Sequence, residues 1–288
     1  MRKVTRKRMF AGKVAAIGVD RGGTWLRIEA VDARGRSIYS HREPSPPVAG
    51  ISASLDKLWR RWKIADLPSL AVASAGVWTR QERDRLRRKL SDHARRVLVT
   101  SDVEAAYHGA LDERPGIILI AGTGSIALAR GMNGRGIRRG GHGPVHGDEG
   151  SAYWIGRAAL DSGLRKLRSS DRRSGRSRVA RVAALAGSII TAAQRGHAES
   201  AVIVHAAQEH LAALAFSAAR AASLGVDPLM SWSGTLMEND FFRAGVMENL
   251  RDRGLMVRRH APRRTTALAA ALLALRESPA VAIRVNHA

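Results

Sequence analysis

One pattern occurs twice in this chain of 288 residues: an apolar run, a glycine turn with a hydroxyl residue, and a second apolar run. It reads 15-AAIGVDRGGTWLRIEAV-31 first and 116-GIILIAGTGSIALARG-131 second. Short apolar runs that face each other across a glycine turn predict a strand, a tight turn and a returning strand. The two copies share a layout and hardly any residues. That combination predicts a duplicated architecture of two similar units. We set the units at residues 11–113 and 114–264, with the boundary in 112-DERPG-116.

The flanking sequence fills in each unit. After the first pattern, the turn 32-DARGR-36 leads to a short strand 37-SIYSH-41, so the chain opens as a three-stranded meander. A Pro-rich loop, 44-PSPPVAG-50, precedes 51-ISASLDKLWRRWK-63, where Ile51, Leu55, Leu58 and Trp62 recur at helical spacing. The stretch 69-SLAVASAGV-77 reads as a buried strand, 81-QERDRLRRKLSDHARR-96 as an amphipathic helix, and 97-VLVT-100 as another strand. Ser101 is placed to cap a helix that Asp102 begins. From residue 151 the chain reads as Ala-rich helices, interrupted by a basic loop at 168–178 and a short strand in 228-PLMSWSG-234. Alternating helices and apolar strands define the α/β class.

With 45% hydrophobic residues the chain buries a substantial core, and with no cysteine it excludes disulfides, thiolate metal sites, iron–sulfur clusters and cysteine nucleophiles. The net charge of +23, from 48 Lys+Arg against 25 Asp+Glu, raises nucleic-acid binding as a reading. The arginines are scattered, however, and only three Tyr and four Phe accompany them as stacking platforms, so no specific nucleic-acid partner is expected. No apolar stretch reaches the roughly 20 residues of a membrane span, and the most Ala-rich segment, 265-TTALAAALLALRE-277, is too short. The basic start, MRKVTRKRMF, lacks the long apolar run of a secretion signal, which points to the cytoplasm.

Chemistry concentrates at the glycine turns and at three acidic positions. Successive backbone amides around glycine form an anion cradle, and positive φ with close approach is the expected reason for glycine there. In 20-DRGGT-24, Asp20 is placed to hold Mg²⁺ through water, while Gly22, Gly23 and Thr24 supply amides and a hydroxyl. In Gly122, Thr123, Gly124 and Ser125 no acid is present, which predicts a pure phosphate cradle. Either turn alone reads equally as an ordinary hairpin; the pair at matching positions argues for phosphate binding. Neither matches the Walker loop or the Rossmann fingerprint. Asp102, at a strand-to-helix junction, is a candidate general base or, alternatively, a helix-terminal carboxylate. In 140-GGHGPVHGDEGSAYWIG-156, Gly147, Asp148 and Glu149 precede a helix, so the acids either accept hydrogen bonds from polyol hydroxyls or serve the helix start. His142 and His146 lie on a glycine-broken loop without acidic partners, and no metal site is expected there.

The set DRGGT, ASAGV, TSDVEAAYHGA, IAGTGSIALAR and GDEGSAYWIGRAAL resembles the N-acetylglucosamine kinases and bacterial glucosamine kinases, with the BadF/BadG/BcrA/BcrD type of ATPase fold, in the sugar kinase, Hsp70 and actin superfamily. The resemblance implies a two-lobed, duplicated actin-like (ribonuclease H-like) fold with ATP in a cleft, the first lobe being completed by the C-terminal helix at 265–288. It implies that Asp20, Gly22, Gly23 and Thr24 form the first phosphate motif and Gly122, Thr123, Gly124 and Ser125 the second. It further implies that Gly234 lies near the adenosine, that Asp102 is the base, and that Asp102, Gly147, Asp148 and Glu149 contact the sugar. ATP and Mg²⁺ are the implied cofactors, and a homodimer is an open assembly. The implied activity is transfer of the γ-phosphate to a hydroxyl, O6, of N-acetylglucosamine, glucosamine or a related hexose. A non-catalytic nucleotide-binding regulator is the alternative, and a basic nucleic-acid binder the third reading. Departures from the family pattern are the loop 43-EPSPPVAG-50, which has no Asn, His142 in place of Trp, 231-SWSGT-235 in place of paired glycines, and Thr265-Thr266-Ala267 in place of Gly.

Overall fold

The structure is a computed structural model that describes residues 13–144, 147–167 and 177–276, and the backbone of 285–286. The basic segment 2–8, residues 168–176 of the basic loop, and His146 lie outside the described residues, as does the chain beyond 276 apart from that backbone. The chain divides into two compact units: one runs to Ala105 and takes up the chain again from Arg264, and the other covers Ala106–Arg263 with the final segment.

The first unit is built on a five-stranded sheet. Strands β1 (Ala16–Arg21), β2 (Trp25–Val31) and β3 (Ser37–Pro44) form the meander, with Asp20 opposite Arg27 across the first hairpin. Helix α1 (Ile51–Trp62) then carries the chain to β4 (Ser69–Ser74), which lies parallel to β1. Helix α2 (Arg80–Lys89) opens with a capping box between Thr79 and Glu82 and leads to β5 (Arg96–Thr100), giving the order β3-β2-β1-β4-β5. The sequence places this helix over 81–96; it ends at Lys89, and Ser91–His93 form a 3₁₀ turn. Helix α3 (Asp102–Leu111) starts where expected. One face of the sheet buries Ile17, Val19, Leu26 and Ile28 with Ile51 and Leu55 of α1.

The other face is made of small residues, Ala16, Ala71 and Ala73, and receives the late helix α10 (Thr266–Leu275) through Ala270, Ala271 and Ala274. Gly18 is the closest point of that contact. A Cβ there would lie 2.0 Å from the Ala267 carbonyl oxygen and 2.2 Å from the Ala271 amide nitrogen. Those are backbone atoms of the helix, so it cannot yield by a rotamer change. We expect Gly18→Ala to cost about 3 kcal/mol, the upper end of ordinary overpacking, as a lowered urea midpoint at unchanged m-value.

The second unit repeats the plan. Strands β6 (Gly116–Ala121) and β7 (Ser125–Arg130) form the second hairpin, and β8 (Gly136–Gly140), which the polar stretch 132–141 conceals in the sequence, extends it to a second meander. Helices α4 (Ala152–Asp161), α5 (Arg178–Ala183), α6 (Ala186–Gln194) and α7 (Ala198–Ala221) follow. Strand β9 (Leu229–Ser233) then pairs in parallel with β6, short helix α8 (Thr235–Glu238) and α9 (Asp240–Asp252) come next, and β10 (Arg258–Arg259) lies beside β9. With β11 (Val285–Asn286) on β8, the order is β10-β9-β6-β7-β8-β11. By length and composition α7, at 24 residues, reaches the size of a membrane span, contrary to the sequence reading. Its Ile203, Val204, Ala207 and Leu211 pack into the core of this unit with Ile117 and Phe242, as in a core helix.

Candidate functional site

In the first unit, β1, β4 and β5 run parallel, so their carboxyl ends lie side by side. Asp20 sits at the end of β1, only 6% exposed. Burial raises its pKa to about 6, and Arg27 opposes that shift, its guanidinium donating to Asp20 Oδ2 at 3.3 Å. The first turn closes with the Gly22 amide donating to the Trp25 carbonyl at 3.0 Å. The loop after β3 is sewn to this turn: the Ser45 hydroxyl donates to the Gly22 carbonyl at 2.7 Å, and the Ser45 amide to the Thr24 carbonyl at 3.0 Å. Gly22, Gly23 and Thr24 therefore stand at one strand end with Asp20.

Asp102 stands at the first position of α3, past the end of β5. Its Oδ1 accepts from the Val103 amide at 2.9 Å. Burial, joined by the negative charge of Asp20, pushes its pKa to about 7 although part of its surface meets solvent. A carboxyl held there exchanges its proton near neutrality, as general acid–base work requires.

The start of α3 is fixed by a residue that the sequence reading did not single out. Glu104 is fully buried, and its Oε2 accepts from the Thr100 hydroxyl, the Ser101 amide and the Ser101 hydroxyl at 2.8 Å each, and from Arg83 at 2.9 Å. The Ser101 hydroxyl meets the Glu104 amide at 3.3 Å, so the expected Ser101 cap is one half of a reciprocal capping box. Glu104 Oε1 and Arg83 Nε are buried without a hydrogen-bond partner. The spacing Ser101-x-x-Glu104 was the available signal; nothing in the arginine run 80–88 marks Arg83 as its partner.

In the second unit, the turn of Gly122, Thr123 and Gly124 joins β6 to β7 and is covered by the start of α4. The Ala152 amide donates to the Gly122 carbonyl at 2.8 Å and the Tyr153 amide to the Thr123 carbonyl at 3.3 Å. Ser125 donates its hydroxyl to the Glu149 carbonyl at 2.8 Å. Gly234, with φ +94°, follows β9; a Cβ there would lie 2.4 Å from the Ala121 carbonyl oxygen, and its Cα faces Gly122. Gly122, Thr123, Gly124, Ser125 and Gly234 thus gather at the carboxyl ends of β6 and β9.

Two expectations are corrected here. The turn is not free of acid: Asp148 is buried with its carboxylate against Gly124, where a Cβ would lie 2.5 Å from Asp148 Oδ2. Burial raises the Asp148 pKa, and the amides of Gly143 and Ser125 oppose the shift. Positive φ is also not what calls for glycine in these turns, since Gly22, Gly122 and Gly124 lack it; at Gly124 the reason is the close approach of Asp148. The positive φ falls on Asp148 itself, at 59°. The two neighbouring acids differ in setting: Asp148 is buried, whereas Glu149 is exposed and its carbonyl accepts from the Ser125 hydroxyl. Gly147 is half-buried against His142.

Two α/β units, each opening on a glycine hairpin with a buried carboxylate nearby, make up an actin-like fold. The chain belongs to the BadF/BadG/BcrA/BcrD ATPase family, whose profile it matches over residues 17–274. It is 44% identical over 72 residues to an N-acetylmuramic acid/N-acetylglucosamine kinase of Clostridium acetobutylicum, covering 25% of this chain and 24% of that protein. It is 29% identical over 164 residues to an N-acetyl-D-glucosamine kinase of Dictyostelium discoideum, covering 49% of this chain and 51% of that protein. The chain thus spans between a quarter and about half of these relatives. Its fold is similar to that of a candidate N-acetylglucosamine kinase from Chromobacterium violaceum, with TM-score 0.69 and 24% identity over 93% of this chain and 100% of the other.

Proposed function

We propose that this protein is an ATP-dependent sugar kinase that transfers the γ-phosphate to a hydroxyl, O6, of N-acetylglucosamine, glucosamine or a related hexose. The observation that carries the reading is Asp102: a carboxyl whose pKa is raised to about 7, beside a buried Asp20. Its named relatives include N-acetylglucosamine kinases. In this reading Asp102 accepts the proton of the attacking hydroxyl as the phosphoryl group arrives. Gly22, Gly23 and Thr24 and the turn Gly122, Thr123, Gly124 and Ser125 line the phosphates, the amides of Gly22 and Gly122 and the Ser125 hydroxyl closing the turns themselves, and Gly234 flanks the adenosine. Gly147, Asp148 and the backbone of Glu149 hold the sugar.

Asp20 suits Mg²⁺ held through water: it is a hard oxygen donor whose one bonded oxygen faces Arg27. Among the described residues no group of three or more acidic or histidine side chains gathers. When bound, Mg²⁺ neutralises phosphate charge; the chain's part is to orient the nucleotide and take the proton.

Coupled ADP release with Mg-ATP and N-acetylglucosamine, glucosamine, glucose and N-acetylmannosamine in turn tests the reading, and turnover dependent on one of them is expected. Equal ATP hydrolysis with and without every sugar would count against it. Asp148→Asn replaces a carboxylate acceptor by a weaker one at a buried site, so the sugar KM should rise about ten-fold with the ATP KM unchanged, measured in the same assay.

A further inference from the structure

Arg21 follows Asp20 at the end of β1 and faces the same strand ends as Asp102. Its Nε donates to the Pro46 carbonyl at 2.9 Å and its NH1 to the Ala75 carbonyl at 3.2 Å. Ala75 directly follows β4, the strand between β1 and β5. The guanidinium therefore crosses the end of β4 in the direction of α3; burial lowers its pKa, and the charge of Asp102 opposes that shift. Both anchors are neutral carbonyls. Arg27 is paired with Asp20 and Arg83 with Glu104, whereas no ion pair joins Arg21 to a carboxylate among the described residues. Arg21 thus carries its charge on a fork held at two points, with its second terminal nitrogen not engaged in either anchor.

A cation fixed near the base, but not bonded to it, stands where negative charge accumulates in phosphoryl transfer. We infer that Arg21 is a further catalytic residue whose guanidinium contacts the phosphoryl group as it moves to the acceptor oxygen. This rests on the sugar-kinase reading. In the step, the acceptor O–H gives its proton to Asp102, its oxygen bonds to the γ-phosphorus, and the bond from that phosphorus to the bridging oxygen breaks, its electron pair leaving with ADP. Charge spreads over the three equatorial oxygens, and a preorganised guanidinium meets it without solvent reorganisation.

The test is steady-state kinetics with ATP and N-acetylglucosamine for wild type, Arg21→Gln, Arg21→Lys and Arg21→Ala, alongside melting temperatures. Gln keeps donors for the Pro46 and Ala75 carbonyls and removes the charge. We expect kcat to fall at least about 100-fold in the Gln variant, as when one transition-state donor is lost. Both KM values should stay within about three-fold, and Lys should retain at least about ten-fold more kcat than Ala. Calorimetry should show N-acetylglucosamine 6-phosphate bound about ten-fold more weakly by the Gln variant. Unchanged kcat in the Gln variant, or equal losses in Lys and Ala, would show that Arg21 only ties the two loops together. Should Gln be too unstable to assay, the Lys-to-Ala ratio decides alone. A wild-type protein inert toward every sugar overturns the kinase reading itself, and this inference with it.

Discussion

Asp102→Asn is expected to lower kcat by about 10³-fold or more while ATP binding is nearly unchanged. The upper range for general-base catalysis is about 10⁴-fold, and the amide is too weak a base to take the hydroxyl proton. The same substitution should make the protein more stable at neutral pH. In the folded chain burial and Asp20 raise the Asp102 pKa from 3.8 to about 7. Between those values the native state keeps a proton that the unfolded chain releases, so stability falls as pH rises through that window and the cost is complete above about pH 7. Asparagine is neutral throughout. Measured without Mg²⁺, the variant should melt a few degrees above wild type at pH 8, the gap narrowing steadily towards pH 4. Loss of activity with gain of stability marks a residue placed for chemistry at the expense of the fold. Loss of both would identify Asp102 as a structural cap.

Arg83→Met is the second large effect. Glu104 is fully buried, Arg83 is the one cation paired with it among the described residues, and one of its oxygens already lacks a partner. Removing a single partner of a buried ion pair costs about 3–5 kcal/mol. At about 2–4 °C per kcal/mol for a chain of this order of size, that is a fall in Tm of roughly ten degrees. Arg83→Met/Glu104→Gln removes the stranded charge and should recover part of the loss. Because Glu104 fixes Thr100 and Ser101 just ahead of Asp102, kcat should fall as well in the single variant. A single-variant cost below about 1 kcal/mol by urea denaturation would mean that solvent reaches Glu104 and the pair acts as a surface one.

The parts of this site readable from sequence are those in which neighbouring residues settle the outcome. The hairpins of Asp20-Arg21-Gly22-Gly23-Thr24 and Gly122-Thr123-Gly124-Ser125 follow from apolar runs that must pair across a short turn, and the first residue of α3 follows from Ser101 and Asp102 at a strand end. What was not readable depends on chain segments far apart. Asp148 is 24 positions from Gly124, and nothing local says that its carboxylate fills the space of a missing Cβ. Strand β8 carries Arg138 and Arg139 and two glycines, a composition that hides a strand held mainly by pairing with β7. Arg21, Arg27 and Arg83 look alike in a chain with 48 Lys+Arg, and only their partners separate them. An anion cradle calls for both positive φ and close approach at its glycines; only the close approach is found at Gly124, because the group that fills the space comes from a distant loop.

The most direct test of the central claim is mass-resolved product analysis of Mg-ATP with N-acetylglucosamine, glucosamine or a related hexose, using wild type and Asp102→Asn. The account predicts a sugar monophosphate, formed in step with ADP by wild type and absent with the variant. ADP formed at the same rate with or without sugar, with no phosphorylated sugar, or an equal yield from the variant, would contradict it.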